Sequence, residues 1–101
     1  MAQSVPKILI TGATGLLGVP LAKHLASQGA SVIRHGRNVR ADANWDLENT
    51  AETSRQLDGL KPDVIINLVA VTDVEACDKD PQKAYLGNGK TVENLAAWIG
   101  A

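Results

Sequence analysis

The sequence has 101 residues, 45% hydrophobic and 21% charged, and ten basic against eleven acidic residues leave a formal net charge of −1. That is the composition of one small soluble domain, so intrinsic disorder is set aside, and so is binding of nucleic acid or an acidic membrane through bulk charge. The single cysteine, Cys77, rules out an internal disulfide, no CxxC or nearby histidine completes a zinc site, and 3% aromatic residues are too few for a base-stacking platform.

No apolar run is long enough to span a bilayer, and the first residues carry no apolar stretch of the secretory kind. The cytoplasm is therefore the expected compartment, with no membrane or nucleic-acid partner.

Lys7–Thr11 is a short, β-branched apolar run ending at a glycine, the pattern of a strand buried on both faces. Gly12 to Gly18 form a glycine-rich turn. A helix is expected from about Gly15 to Gln28, because Leu17, Leu21 and Leu25, with Ala22 and Ala26, recur at helical spacing, and Gly29 is placed to close it. Pro20 inside that stretch is expected to bend the helix or weaken one backbone hydrogen bond. Ala30–Ile33 reads as a second strand, followed by the basic loop Arg34–Arg40. Ala43–Asp46 is a candidate third strand. Asn49, with Glu52 three residues on, resembles a capping box opening a helix that ends near Gly59. Asp63–Ala70 is the next buried strand, and Thr72–Asp80 is polar and acidic. Asp80 and Pro81 suit the start of a last helix reaching about Ile99, with Ala84, Tyr85, Val92, Leu95, Ala96 and Ile99 on its apolar face. Strands alternating with helices imply parallel pairing through crossovers, hence an α/β, Rossmann-type doubly wound parallel sheet of three to four strands.

The main chemical signal is Thr11 to Gly18, TGATGLLG, with glycines at 12, 15 and 18 directly between a strand and a helix. Gly12 permits the tight turn, Gly15 lets a pyrophosphate approach the backbone, and Gly18 lets the helix pack close to the sheet. The helix N-terminus then offers unpaired N–H groups to the phosphates. An ordinary strand–helix turn is the alternative, and the strand–turn–helix context favours a dinucleotide.

A fold of this kind that prefers NAD usually carries an acid at the end of the second strand. Val32 to Arg37 holds none, whereas Arg34 and Arg37 can pair with a 2′-phosphate through a planar fork. NADP (NADPH) is therefore expected over NAD. Asp46 and Leu47 admit two readings from the residues alone, an adenine contact or a turn. Asp73, Glu75, Asp78 and Asp80 read as a solvated loop and a helix cap, so no metal site is expected.

TGATGLLG resembles the fingerprint of the extended short-chain dehydrogenases. Asp46-Leu47, the block KPDVIIN at 61–67, the block from Ala70 to Cys77, and Pro81, Ala84, Asn88 and Asn94-Leu95-Ala96 are similar to one branch, the dTDP-4-dehydrorhamnose reductase family. The resemblance implies an oxidoreductase that passes hydride from NADPH to a nucleotide-linked 4-keto sugar. It implies that Gly12, Thr14, Gly15, Leu16, Leu17 and Gly18 contact the cofactor, the backbone of Gly15 to Leu17 meeting the pyrophosphate. Asp46 and Leu47 would contact adenine, Ala70, Val71 and Thr72 would line the cofactor, and Asn88 would support the strands beside it. His35 stands where some members carry an acid.

The family needs a Tyr with a Lys four residues later. The only tyrosine, Tyr85, is followed at that spacing by Gly89, so no catalytic residue is assigned in this chain. Residues 1–101 are expected to be the N-terminal, cofactor-binding part of a truncated domain, catalytically inactive alone, marginally stable, and with an exposed sheet edge that invites pairing, a homodimer included. A non-catalytic regulatory subunit and a sugar-nucleotide epimerase or dehydratase are the alternatives from the same superfamily.

Overall fold

A computed structural model of the chain describes residues 5–36, 41–69 and 89–100. Among the described residues lie strands β1 (Lys7–Thr11), β2 (Ser31–His35) and β3 (Val64–Asn67) and helices α1 (Gly18–Ser27), α2 (Thr50–Leu60) and α3 (Thr91–Gly100). The strands form a parallel sheet in the order β2–β1–β3. The chain divides into two units, Met1–Trp45 with Leu60–Leu68, and Asp46–Gly59 with Val69–Ala101.

The first unit is built around β1. Ile8 and Ile10 face a core shared with Ala13 and Ala22, against which Leu21, Leu25, Val32, Ile66 and Leu68 pack. Leu9 and Thr11 point the opposite way and are also fully buried, as a central parallel strand requires. Burying one such aliphatic side chain stabilises the fold by roughly 1.5–3 kcal/mol. The register sets Thr11 level with His35 on one side and Asn67 on the other. All three strands therefore end together at the edge where open α/β sheets receive ligands.

Helix α1 starts at Gly18, three residues later than its periodicity suggests, with Leu17 as N-cap. Pro20 is thus the third helical residue. The Val19 and Leu21 N–H groups on either side donate to the Gly15 and Leu17 carbonyls, so Pro20 omits the one bond between them, the weakening expected. The helix closes as expected: Gly29 takes φ 93° and its N–H donates to the Ala26 carbonyl.

Strand β2 runs two residues past its expected end. Ala43–Asp46 is not a strand; it contributes one parallel bridge, His35 to Ala43. The cause is local. The His35 ring nitrogen Nε2 lies 2.8 Å from the Trp45 carbonyl oxygen, and the two rings meet edge to face, 4.4 Å between centroids. The Trp45 N–H and carbonyl both face this one ring nitrogen, a side-chain contact that competes with ladder pairing.

In the second unit Asn49 caps α2 by accepting the Glu52 N–H at 2.9 Å. The capping box is only half formed, because the Glu52 carboxylate accepts from Arg55 and Gln56 instead of reaching back. The helix includes Gly59, and Lys61, not a glycine, takes the left-handed position beyond it with φ 51°.

The buried residues of α3 are Thr91, Asn94 and Leu95, while Val92 and Ile99 are 50% and 63% exposed. The apolar face expected there is therefore corrected. Asn94 turns inward because its amide is satisfied: Nδ2 donates to the Leu47 carbonyl and Oδ1 accepts from the Thr50 hydroxyl, both at 2.9 Å. Tyr85, Cys77 and the acidic stretch lie outside the described residues.

Candidate functional site

The glycine turn rises from the C-terminal end of β1 on a platform of hydrogen bonds. The Leu68 N–H donates to both the carbonyl and the hydroxyl of Thr11, and that hydroxyl donates to Asn67 Oδ1. On the other side the Ala13 N–H donates to the His35 carbonyl at 3.0 Å. The turn is thus fastened to both neighbouring strands.

Its three glycines have different causes. Gly12 sits at φ 67°, a left-handed backbone, and a side chain there would press on the Leu68 backbone at 3.2 Å. Gly18 lies against the turn itself: a Cβ would stand 2.3 Å from the Gly12 oxygen and 2.6 Å from the Ala13 Cα. Gly15 is exposed, does not need a positive φ, and a Cβ there would meet nothing nearer than the Gly12 oxygen at 3.5 Å. The protein's own packing explains Gly12 and Gly18 and leaves Gly15 open.

Beyond Gly15 the backbone faces solvent. The N–H groups of Leu16 and Leu17 donate to no protein acceptor among the described residues, and their side chains are 99% and 64% exposed. The Gly15 N–H, by contrast, closes the turn onto the Gly12 oxygen. Two free amides at the mouth of a helix, over a position with no side chain, form a receptor for an anionic group.

A cleft of about 580 Å³ runs beside the turn. One wall is the stripe Val19, Ala22, Lys23 and Ala26, which share a face of α1 at i, i+3, i+4 and i+7. Val32 and Arg34 of β2 form another wall, Ala13 and Thr14 close the turn end, and Asp42 borders it. Lys23 and Asp42 were not among the residues expected from the sequence.

Arg34 lines this cleft, and its fork is engaged. Nε and Nη2 donate to the two carboxylate oxygens of Asp42, each at 3.0 Å, and the Arg34 N–H donates to Oδ2 as well. The pair is half exposed, at 46% and 41%. The guanidinium's hydrogen bonds hold the Asp42 carboxyl below its ordinary pKa. The acid absent from Val32 to Arg37 thus arrives from eight residues downstream, brought in by the Asp42 and Ala43 N–H groups that donate to the Arg34 carbonyl. His35 is buried against Trp45 and works as a clamp on the segment after β2.

Asp46 and Leu47 belong to the second unit. Asp46 Oδ1 accepts the Glu48 N–H at 3.0 Å, the geometry of a turn residue. Leu47 is buried, and its carbonyl takes donors from Asn94 and Thr53. Arg37, Ala70, Val71, Thr72 and Asn88 lie outside the described residues. No group of three or more metal-ligating side chains occurs among the described residues, nor any helix long and apolar enough to cross a membrane.

A parallel β2–β1–β3 sheet with a glycine turn entering α1 defines a Rossmann-like α/β domain. More particularly, residues 6–101 match the RmlD substrate binding domain, and the chain belongs to that family. It is 40% identical over 91 residues to a dTDP-4-dehydrorhamnose reductase from Burkholderia thailandensis, which covers 90% of this chain and 28% of that protein. Among solved structures it is similar to a dTDP-4-dehydrorhamnose reductase ortholog from Clostridium acetobutylicum, at 33% identity and a TM-score of 0.80, over 93% of this chain and 32% of the other. It shares its fold with the dTDP-4-dehydrorhamnose reductase from Bacillus anthracis solved in complex with NADP, at 24% identity and a TM-score of 0.83, over 100% and 35% of the two chains. The chain thus spans about a third of the length of the proteins it matches.

Proposed function

We propose that this chain is the dinucleotide-binding portion of an NADPH-dependent reductase acting on a nucleotide-linked 4-keto sugar. The observation that carries the cofactor is Gly15. It is the one glycine of the turn whose missing side chain no protein contact explains, and the unpaired N–H groups of Leu16 and Leu17 follow it directly. A pyrophosphate needs both features, close approach to the backbone and free donors at a helix mouth. Family membership and the reductase relatives support the substrate class.

In this reading Leu16 and Leu17 hold the pyrophosphate through their amides. Gly12 and Gly18 shape the turn, and Thr14 borders the cleft into which the adenosine end extends. Arg34 there, and Arg37, meet the 2′-phosphate. Asp46 and Leu47 are assigned to adenine, Ala70, Val71 and Thr72 to the cofactor beyond the pyrophosphate, and Asn88 to the support of the strands beside it. The nicotinamide group supplies the hydride. Tyr85 lacks a lysine four residues on, so no residue of this chain is assigned the proton transfer.

Calorimetric titration of the folded chain with NADPH and NADH tests the reading. Saturable binding with NADPH tighter is expected. Binding of neither would overturn the dinucleotide assignment, and equal or tighter NADH would overturn the role of Arg34 and Arg37.

A further inference from the structure

The Arg34 fork is a bidentate phosphate receptor already filled by a carboxylate. Asp42 occupies both donors that a 2′-phosphate would use in the same way, and it adds a third contact to the Arg34 N–H. A phosphate that takes the Nε–Nη2 edge must therefore displace Asp42, and one that takes the remaining Nη1 donors meets a guanidinium whose charge the carboxylate already offsets. The charge of the cleft lining states the conflict simply. Lys23, Arg34 and Asp42 are its charged residues, two positive and one negative.

We propose that Asp42 is a specificity-determining residue that acts through Arg34 to limit how strongly the cleft favours a 2′-phosphorylated adenosine over an unphosphorylated one. This rests on the dinucleotide reading above. The carboxylate neutralises the fork when no phosphate is present and competes with the phosphate when one is. Lys23, on the opposite wall, has no carboxylate partner among the described residues and remains a counter-charge for the phosphate in either state. An unphosphorylated ribose does not require the pair to open, so its binding is insensitive to the exchange.

The test uses 2′,5′-ADP and ADP as probes, which differ by the phosphate in question, titrated into the full chain by calorimetry. Asp42→Asn keeps an oxygen that can accept the Arg34 N–H while removing the charge. It is expected to tighten 2′,5′-ADP by about fivefold, the scale of losing one exposed ion-pair competitor. ADP is expected to move less than about twofold. In the double variant with Arg34→Gln the gain should vanish, because Asp42 acts only through that fork. Asp42→Ser provides the same comparison should the asparagine variant fold poorly. An unchanged or weakened 2′,5′-ADP to ADP ratio in the Asp42 variant would overturn the proposal, and so would a gain that survives in the double variant. If the unaltered chain binds neither probe nor NADPH, the dinucleotide reading itself fails, and Asp42 with it.

Discussion

Replacing Gly15 and Gly18 in turn by alanine separates a glycine kept for a ligand from one kept for the fold. At Gly15 the new methyl would have its nearest neighbour at 3.5 Å, an ordinary contact, on a backbone that does not require a positive φ. Alanine there narrows the unfolded ensemble and should leave stability unchanged or raise it by about 0.4–1 kcal/mol. At Gly18 the methyl would overlap the Gly12 oxygen at 2.3 Å and two backbone atoms of Ala13 at 2.6 and 2.7 Å. None of these is the end of a flexible side chain, so the helix must move off the turn, at a cost of about 1–3 kcal/mol. For a domain of this size 1 kcal/mol corresponds to roughly 4–8 °C in Tm. The binding effects run the other way. The Gly15 methyl would occupy the open space through which a pyrophosphate approaches the backbone, and loss of one hydrogen bond to a charged group costs about 1.5–3 kcal/mol, or roughly ten- to a hundredfold in NADPH affinity. Thermal melts and calorimetry on the two variants read both quantities. If Gly15→Ala binds NADPH like the unaltered chain, the pyrophosphate is not at that turn. If Gly18→Ala melts with the unaltered chain, the close helix–turn contact is not what requires a glycine there.

Two further outcomes follow from the hydrogen-bond pattern. Arg34 holds the Asp42 carboxyl below its ordinary value of 3.8, first through the side-chain hydrogen bond. A depressed carboxyl contributes stability above the unfolded value and loses it as pH falls through the folded value. Arg34→Ala should therefore bring Asp42 back to the ordinary range in an NMR titration and remove a small stabilising contribution, confined to pH above that window. An unchanged Asp42 titration would show that the pair does not persist in solution. Asn94→Ala should cost about 1–3 kcal/mol in a urea melt, because it strips the Leu47 carbonyl and the Thr50 hydroxyl of a partner; a cost below about 0.5 kcal/mol would show that water replaces the amide.

The parts legible in the sequence are those fixed by local rules. The run Lys7–Thr11 is continuous and apolar, and it is the central strand. Asn49 precedes its helix with an acceptor, and it caps that helix. Gly29 follows the last apolar repeat of α1, and it closes it. What escaped the sequence depends on partners beyond the reach of helix and strand periodicity, eight to 47 residues away. Asp42 looks like a loop residue until the backbone of residues 42 and 43 hydrogen-bonds to Arg34. Asn94 looks like the polar flank of an apolar stripe until the Leu47 carbonyl, 47 residues away, turns it inward. Ala43–Asp46 has strand composition, yet the buried His35 ring takes the Trp45 carbonyl that a ladder would need. In each case specific hydrogen bonds override the local pattern, and a spacing rule carries no information about them.

The Arg34–Asp42 pair also changes how basic residues near a phosphate site should be weighed. Two arginines after the second strand argue for a 2′-phosphate only in proportion to the donors they have to spare. Arg34 spends Nε and Nη2 on a carboxylate, so its contribution to a phosphate at that edge is the difference between two bidentate partners, not the whole value of one. A phosphate carries more negative charge than a carboxylate and can win that exchange, with Lys23 on the facing wall adding to its side. The exposure of the pair matters for the same reason. At 46% and 41% exposed it sits in high dielectric, where an ion pair is worth about 1 kcal/mol or less. Such a partner can be displaced at modest cost. Arg34 can therefore serve both the resting fold and the proposed cofactor, with Asp42 setting how far the second role prevails.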